Sequence, residues 1–186
     1  VLKLNRRYKI YKKRIIFNKT LEKIGKEENL TRERIRQIAN DINKKFIYYF
    51  ARNFAPYLRE KYKNKIILDD SDLKQYFYND EDFLLTKTIL IKNNFRDIYY
   101  FKEIDKFLIL LNKDLSELKK ELNIIIEENL PEIFIFHSYW LDLVNLFEEN
   151  EISFINENDF KKYIKSLNYN EYNNWIIKGT PSLRKL

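Results

Sequence analysis

Thr20 and Thr31 each stand directly before an apolar pattern with helical spacing, and this pairing constrains the first quarter of the chain. A threonine hydroxyl at an N-cap accepts from a free amide of the first helical turn. After Thr20, Leu21 and Ile24 fall three apart on one face. After Thr31, Ile35, Ile38, Ile42, Phe46 and Tyr49 recur at spacings of three and four. The spacing predicts a short helix, a tight turn and a long helix. Gly25 follows Ile24 and lacks a side chain, which lets the second helix cross closely over the first.

The opposite face of the long helix carries Arg32, Glu33, Arg34, Arg36 and Gln37 in its first two turns. These are the residue types that read duplex DNA. Arginine bridges guanine O6 and N7 or holds a phosphate, glutamine pairs with adenine N6 and N7, and glutamate accepts from the cytosine amine. A helix in the major groove presents mainly its N-terminal residues to base edges, so their position matters as much as their type.

The run TLEKIGKEENLTRERIRQI resembles region 4.2 of bacterial primary-type sigma factors, whose pattern is approximately T-L-E-E-I-G, a short turn, then T-R-E-R-I-R-Q-I. VLKLNRRY is similar to the end of the preceding helix in that family, so the likeness covers Val1 to Phe46. Lys23 stands where the family has a glutamate, which removes the usual capping box. The resemblance implies a helix-turn-helix that reads a minus-35-like element. It assigns base contact to Arg32, Glu33, Arg36 and Gln37, and phosphate contact to Thr20, Thr31 and Arg34. It also implies docking on RNA polymerase through the flap of the β subunit.

Charge agrees with a nucleic-acid partner for this part of the chain. Residues 1–65 hold 20 Lys+Arg against 6 Asp+Glu, which is +14; the total of 35 against 28 leaves 15 against 22, or −7, for residues 66–186. A basic block attracts phosphate and an acidic one repels it. Lys9 to Lys19 reads as a basic connector in which Lys12, Lys13 and Arg14 lie along phosphates. The aromatic run from Phe46 to Tyr62 reads as a seam against the next domain. The change of charge sign places a domain boundary near Lys65, giving a helix-turn-helix unit at 1–65 and an acidic, mostly helical unit at 66–186.

In the second unit, Asp70 or Ser71 is expected to cap a helix to Phe77, and Asp80 or Asp82 a second one through Leu90. Ile98 to Lys102 and Phe107 to Leu111 form either a hairpin or one amphipathic helix. Asp114 to Asn129, Ser138 to Asn150 and a stretch begun by Asn156 or Asn158 read as helices. Tyr172 to Lys178 reads as a strand stopped by Gly179 and Pro181. The fold class is therefore mainly α with a few short strands, and the order helix, turn, helix, strand over 132–180 is that of a winged-helix-like module. Its solvent face is expected to be acidic and asparagine-rich, which favours a protein partner over DNA.

Catalytic chemistry has little to stand on. There is no cysteine, two glycines leave no phosphate-cradling loop, and the single histidine, His137, sits between Phe136 and Ser138 with nothing nearby to supply a serine-acid triad or a second metal ligand. No catalytic residue, metal or cofactor is expected. No apolar run approaches the roughly 20 residues needed to span a bilayer, and a cytoplasmic location is expected. Two readings from different classes follow: a sequence-specific transcription protein on double-stranded DNA, or an interaction module without promoter-specificity activity. The latter binds polymerase or serves a defence or mobile-element system.

Overall fold

The computed structural model describes residues 2–62, 66–93, 95–150, 152 and 155–180, with residues 2–5 as backbone only. The chain is mainly helical with two small antiparallel sheets. No helix among the described residues is long and apolar enough to cross a membrane.

Helix α1 (Leu2–Ile15) buries Ile10 and Tyr11. It runs through most of the expected Lys9–Lys19 connector. That connector is helical because Ile10 and Tyr11 give this basic stretch an apolar side to pack on α3. Helix α2 (Leu21–Glu28) and helix α3 (Arg32–Tyr49) begin at the two threonines. Thr20 Oγ1 accepts from the Lys23 amide at 3.2 Å, and Thr31 Oγ1 from the Arg34 amide at 3.2 Å. Between them Asn29 takes φ 52°, which ends α2. Gly25 has a packing role: a Cβ there would lie 2.7 Å from the Leu30 carbonyl oxygen.

A π-helical turn (Phe50–Phe54) and helix α4 (Ala55–Lys61) continue the rod from α3. Pro56 has no N–H for the ladder, and the wider turn immediately precedes it. The aromatic run is a seam in part. Phe46, Phe50 and Phe54 follow one another ring to ring, and Phe50 reaches Phe95 at 6.1 Å. Tyr48, Tyr49 and Tyr57 remain exposed.

Next come β1 (Ile67–Leu68), α5 (Asp70–Lys74), α6 (Asp80–Lys92), β2 (Ile98–Phe101) and β3 (Lys106–Ile109). Helix α5 is capped by Asp69 in a box with Asp72, and α6 by Asn79, each one position before an expected cap. The two β runs do form a hairpin, turning where Asp105 takes φ 55°. Then follow α7 (Leu115–Asn129), β4 (Ile133–Ile135), α8 (Phe136–Glu149), α9 (Glu157–Ser166), β5 (Tyr169–Tyr172) and β6 (Trp175–Lys178). The single strand expected over Tyr172–Lys178 is instead the end of one strand and the whole of another. Asn173, at φ 53°, reverses the chain between them. Gly179 follows β6 at φ 83°; Pro181 lies outside the described residues.

The element order repeats. α4–β1–α5–α6–β2–β3 and α7–β4–α8–α9–β5–β6 share one sequence of helices and strands. In each, the three-stranded sheet places its last strand in the centre.

The apolar core does not divide near Lys65, itself outside the described residues. Ile24, Ile35 and Leu58 pack in one cluster with Leu68, Leu73, Phe83, Ile89 and Ile109. Charge changes sign at that point, but the core is set by apolar periodicity, which continues across it. The sheet β1–β3–β2 is a wall between two cores. Ile98, Tyr100, Phe107 and Ile109 face the first, while Tyr99, Phe101, Leu108 and Leu110 face the second, as the two-residue period of a strand requires.

Candidate nucleic-acid interface

Helix α3 buries Ile35, Ile38, Ala39 and Ile42 against α1 and α2. The same rotation leaves Arg32, Glu33, Arg34, Arg36 and Gln37 exposed. Their side chains are not free ends. Arg36 donates to both oxygens of Glu33, from Nε at 2.8 Å and Nη2 at 2.7 Å. Gln37 Nε2 donates to Glu33 Oε1 at 3.3 Å, and Arg34 Nη1 to Gln37 Oε1 at 3.2 Å. Arg32 lies 3.9 Å from Glu22 on α2.

This network sets the charge state of the face. The hydrogen bonds from Arg36 hold the Glu33 carboxyl below the usual carboxylate range, and the carboxylate raises the Arg36 guanidinium in turn. Glu33 is therefore anionic at neutral pH, and any ligand that takes up Arg36 has to displace the Arg36–Glu33 pair. Both side chains are more than half exposed, so the exchange needs little desolvation.

Thr20 and Thr31 use an oxygen lone pair for capping. Each hydroxyl keeps its O–H as a donor, and both residues are exposed. The three basic residues expected along phosphates part company. Lys12 meets Glu81 at 3.1 Å and Asp82 at 2.7 Å, clamping α1 to the start of α6. Lys13 meets Glu27 at 2.9 Å and Glu28 at 2.6 Å, clamping α1 to the end of α2. These two cations are neutralised inside the protein. Arg14 stays exposed, with Nη1 donating to the Lys19 carbonyl at 3.0 Å.

Arg14 and Arg36 line one cleft of about 380 Å³ between α1, α3 and α6, together with Asn40, Asn43 and Lys92. Sequence reading did not single out Asn40, Asn43 or Lys92. Asn40 is four residues beyond Arg36 on the outward face of α3, so helical spacing alone would have found it. Lys92, at the far end of α6, carried no such signal. The cleft joins three cations and three amides, Asn93 being the third, at the edge of the exposed face.

Among the acids, Asp69 and Asp72 serve as a capping box and Asn79 accepts from the Asp82 amide, so both acidic clusters do helix-capping work. His137 lies in the first turn of α8, exposed and against Phe136.

Comparison with protein-family models, with curated proteins and with solved structures returns no match.

Proposed function

We propose that this chain is a sequence-specific DNA-binding transcription protein. In this reading α2, the turn at Asn29–Thr31 and α3 act as a helix-turn-helix, with α3 in the major groove. One observation carries it: the side chains best suited to base edges occupy the outward face of the first two turns of α3, while every apolar residue of that stretch is buried. Arg32, Arg36 and Gln37 read bases after Arg36 leaves Glu33. Thr20, Thr31 and Arg34 hold phosphates, and Arg14 and Lys92 extend the contact along the cleft.

The resemblance to sigma factor region 4 names the target and the partner of this reading: a minus-35-like element and the β flap of RNA polymerase, in the cytoplasm. The two repeated units have the strand and helix order of winged helices, and they fit a tandem of such modules behind the head. A selection of the purified full chain on random duplex DNA tests the proposal. Enrichment of a TTGACA-like sequence supports it; no enrichment over input, with salt-insensitive binding, overturns it.

A second reading keeps the fold and makes the head a docking module on polymerase without DNA readout. The occupation of Arg36 by Glu33 in the free chain favours it, because that cation is already satisfied. Recovery of polymerase in a pull-down, with no duplex binding by the purified chain, would select it over the first. A defence or mobile-element component that binds DNA without polymerase would show the converse.

A further inference from the structure

The two repeated units differ in what their third helix and hairpin touch. In the first unit, α6 is covered by α1: Tyr8 donates to Asp82 at 2.7 Å and Lys12 pairs with the same carboxylate. Its β2–β3 hairpin is held by the second unit, with Ile104 buried, Glu103 2.7 Å from Lys119 and Lys106 2.7 Å from Asp159. The first unit is thereby used up as a spacer.

In the second unit only one side of the equivalent helix is taken, by the Lys106–Asp159 pair, and its other side and the hairpin beside it face solvent. Helix α9 buries Phe160, Tyr163 and Ile164 and turns Asn158, Lys162 and Lys165 outward, with Lys161 half-buried beside them. The expected acidic face belongs to α8, which exposes Asp142, Glu148 and Glu149, and not to α9. The lysines share a groove of about 480 Å³ with Asn170 and Tyr172 of β5. Lys161 is engaged by Glu157 at 3.2 Å and lies 3.8 Å from Glu171. Lys162 and Lys165 take part in no salt bridge among the described residues.

We infer that α9 and the β5–β6 hairpin form a second duplex-DNA contact, in which Lys162 and Lys165 hold the phosphate backbone and Asn158, Asn170 and Tyr172 line the approach. The inference rests on the duplex-binding reading of the chain but on different residues. Two unpaired ammonium groups one helical turn apart offer charge neutralisation along a strand. A ten-residue helix, about 15 Å long and roughly 10–12 Å across with its side chains, is of a diameter that a major groove about 12 Å wide admits. The hairpin beside it offers the Tyr172 phenol, while Asn170 Nδ2 already donates to the Asn168 and Gly179 carbonyls; Trp175 is exposed opposite Tyr172, so stacking on a single strand is the competing outcome that the test separates.

The test uses the full chain, a 40-base-pair duplex of mixed sequence and fluorescence anisotropy across a salt series. K162A/K165A should bind more weakly at low salt, with the slope of log K against log salt reduced in magnitude by roughly 1.8, at about 0.9 per lost phosphate contact. Its thermal melt should match the parent, because both lysines are exposed. Unchanged affinity and slope overturn the inference. R32A/R36A separates the two surfaces. If it loses affinity and K162A/K165A does not, the α9 contact is wrong and the α3 reading stands. The opposite pattern retains α9 and removes α3. Tighter, lysine-dependent binding of a 40-nucleotide single strand would overturn the duplex assignment.

Discussion

Lys106 on β3 reaches Asp159 on α9 at 2.7 Å, and the aspartate side chain has no exposed surface. The pair joins the hairpin of the first repeated unit to the third helix of the second. The other carboxylate oxygen, Asp159 Oδ1, has no hydrogen-bond partner among the described residues. Replacing Lys106 by methionine should leave a buried charge uncompensated and cost about 3–5 kcal/mol, read as a fall in the urea midpoint. The double change K106M/D159N should recover part of that loss. Equal midpoints for parent and K106M would mean the carboxylate is hydrated.

Gly25 gives a prediction in which two effects oppose. Alanine in a helix interior is ordinarily favoured over glycine by roughly 0.5–1 kcal/mol. Here the new Cβ would lie 2.7 Å from a backbone carbonyl oxygen that has no rotamer to escape into. Overpacking of this kind costs about 1–3 kcal/mol, so the clash should win. G25A should lower the thermal midpoint and shift the turn that sets α3 against α2. A raised midpoint would show that the turn opens freely.

For duplex readout, R36A should cost about 1–3 kcal/mol on the selected sequence and relax preference at one base pair. Competition binding against single-base variants of that sequence measures both. Retained affinity and selectivity would remove Arg36 from the reading face.

The clamp between α1 and α2 makes a pH prediction. Hydrogen bonds from Lys19 and then Lys13 hold the Glu27 carboxyl down from its ordinary value to about 2. A carboxyl lowered in the folded state contributes above its unfolded value, and the contribution fades as pH falls from about 4.5 toward 2. Carboxyl carbon shifts in an NMR titration should show Glu27 still ionised at pH 3.5, and K19A/K13A should return it toward the ordinary range. Titration of Glu27 near 4.5 in the parent would show the clamp open in solution.

The helices of the head are legible in the sequence because their signals are local. Thr20, Thr31 and the apolar steps from Ile35 to Phe46 lie within a few turns of what they determine. The β2–β3 hairpin was legible only as one of two options, since four-residue apolar runs fit either period; the wall it builds decides between them. The change of charge sign at Lys65 does not coincide with a break in the core, because charge marks solvent-facing residues, whereas the packing of Leu58 and Phe50 with Leu68 and Phe95 marks the core. Lys12 looked like a phosphate ligand for a related reason: its partners Glu81 and Asp82 are far along the chain and become neighbours only in the fold. Asn40 was readable by spacing, but Lys92 joins Arg14 and Arg36 only through the placement of α6.

With β1–β3–β2 contributing alternate side chains to opposite interiors, severing the polypeptide on either side of it strips one interior of its lining. A truncated head would expose Ile35's and Leu58's neighbours to water and aggregate, so unfolding by heat or denaturant should be a single concerted event spanning both ends of the molecule. Whatever grips one end is thereby mechanically continuous with the other.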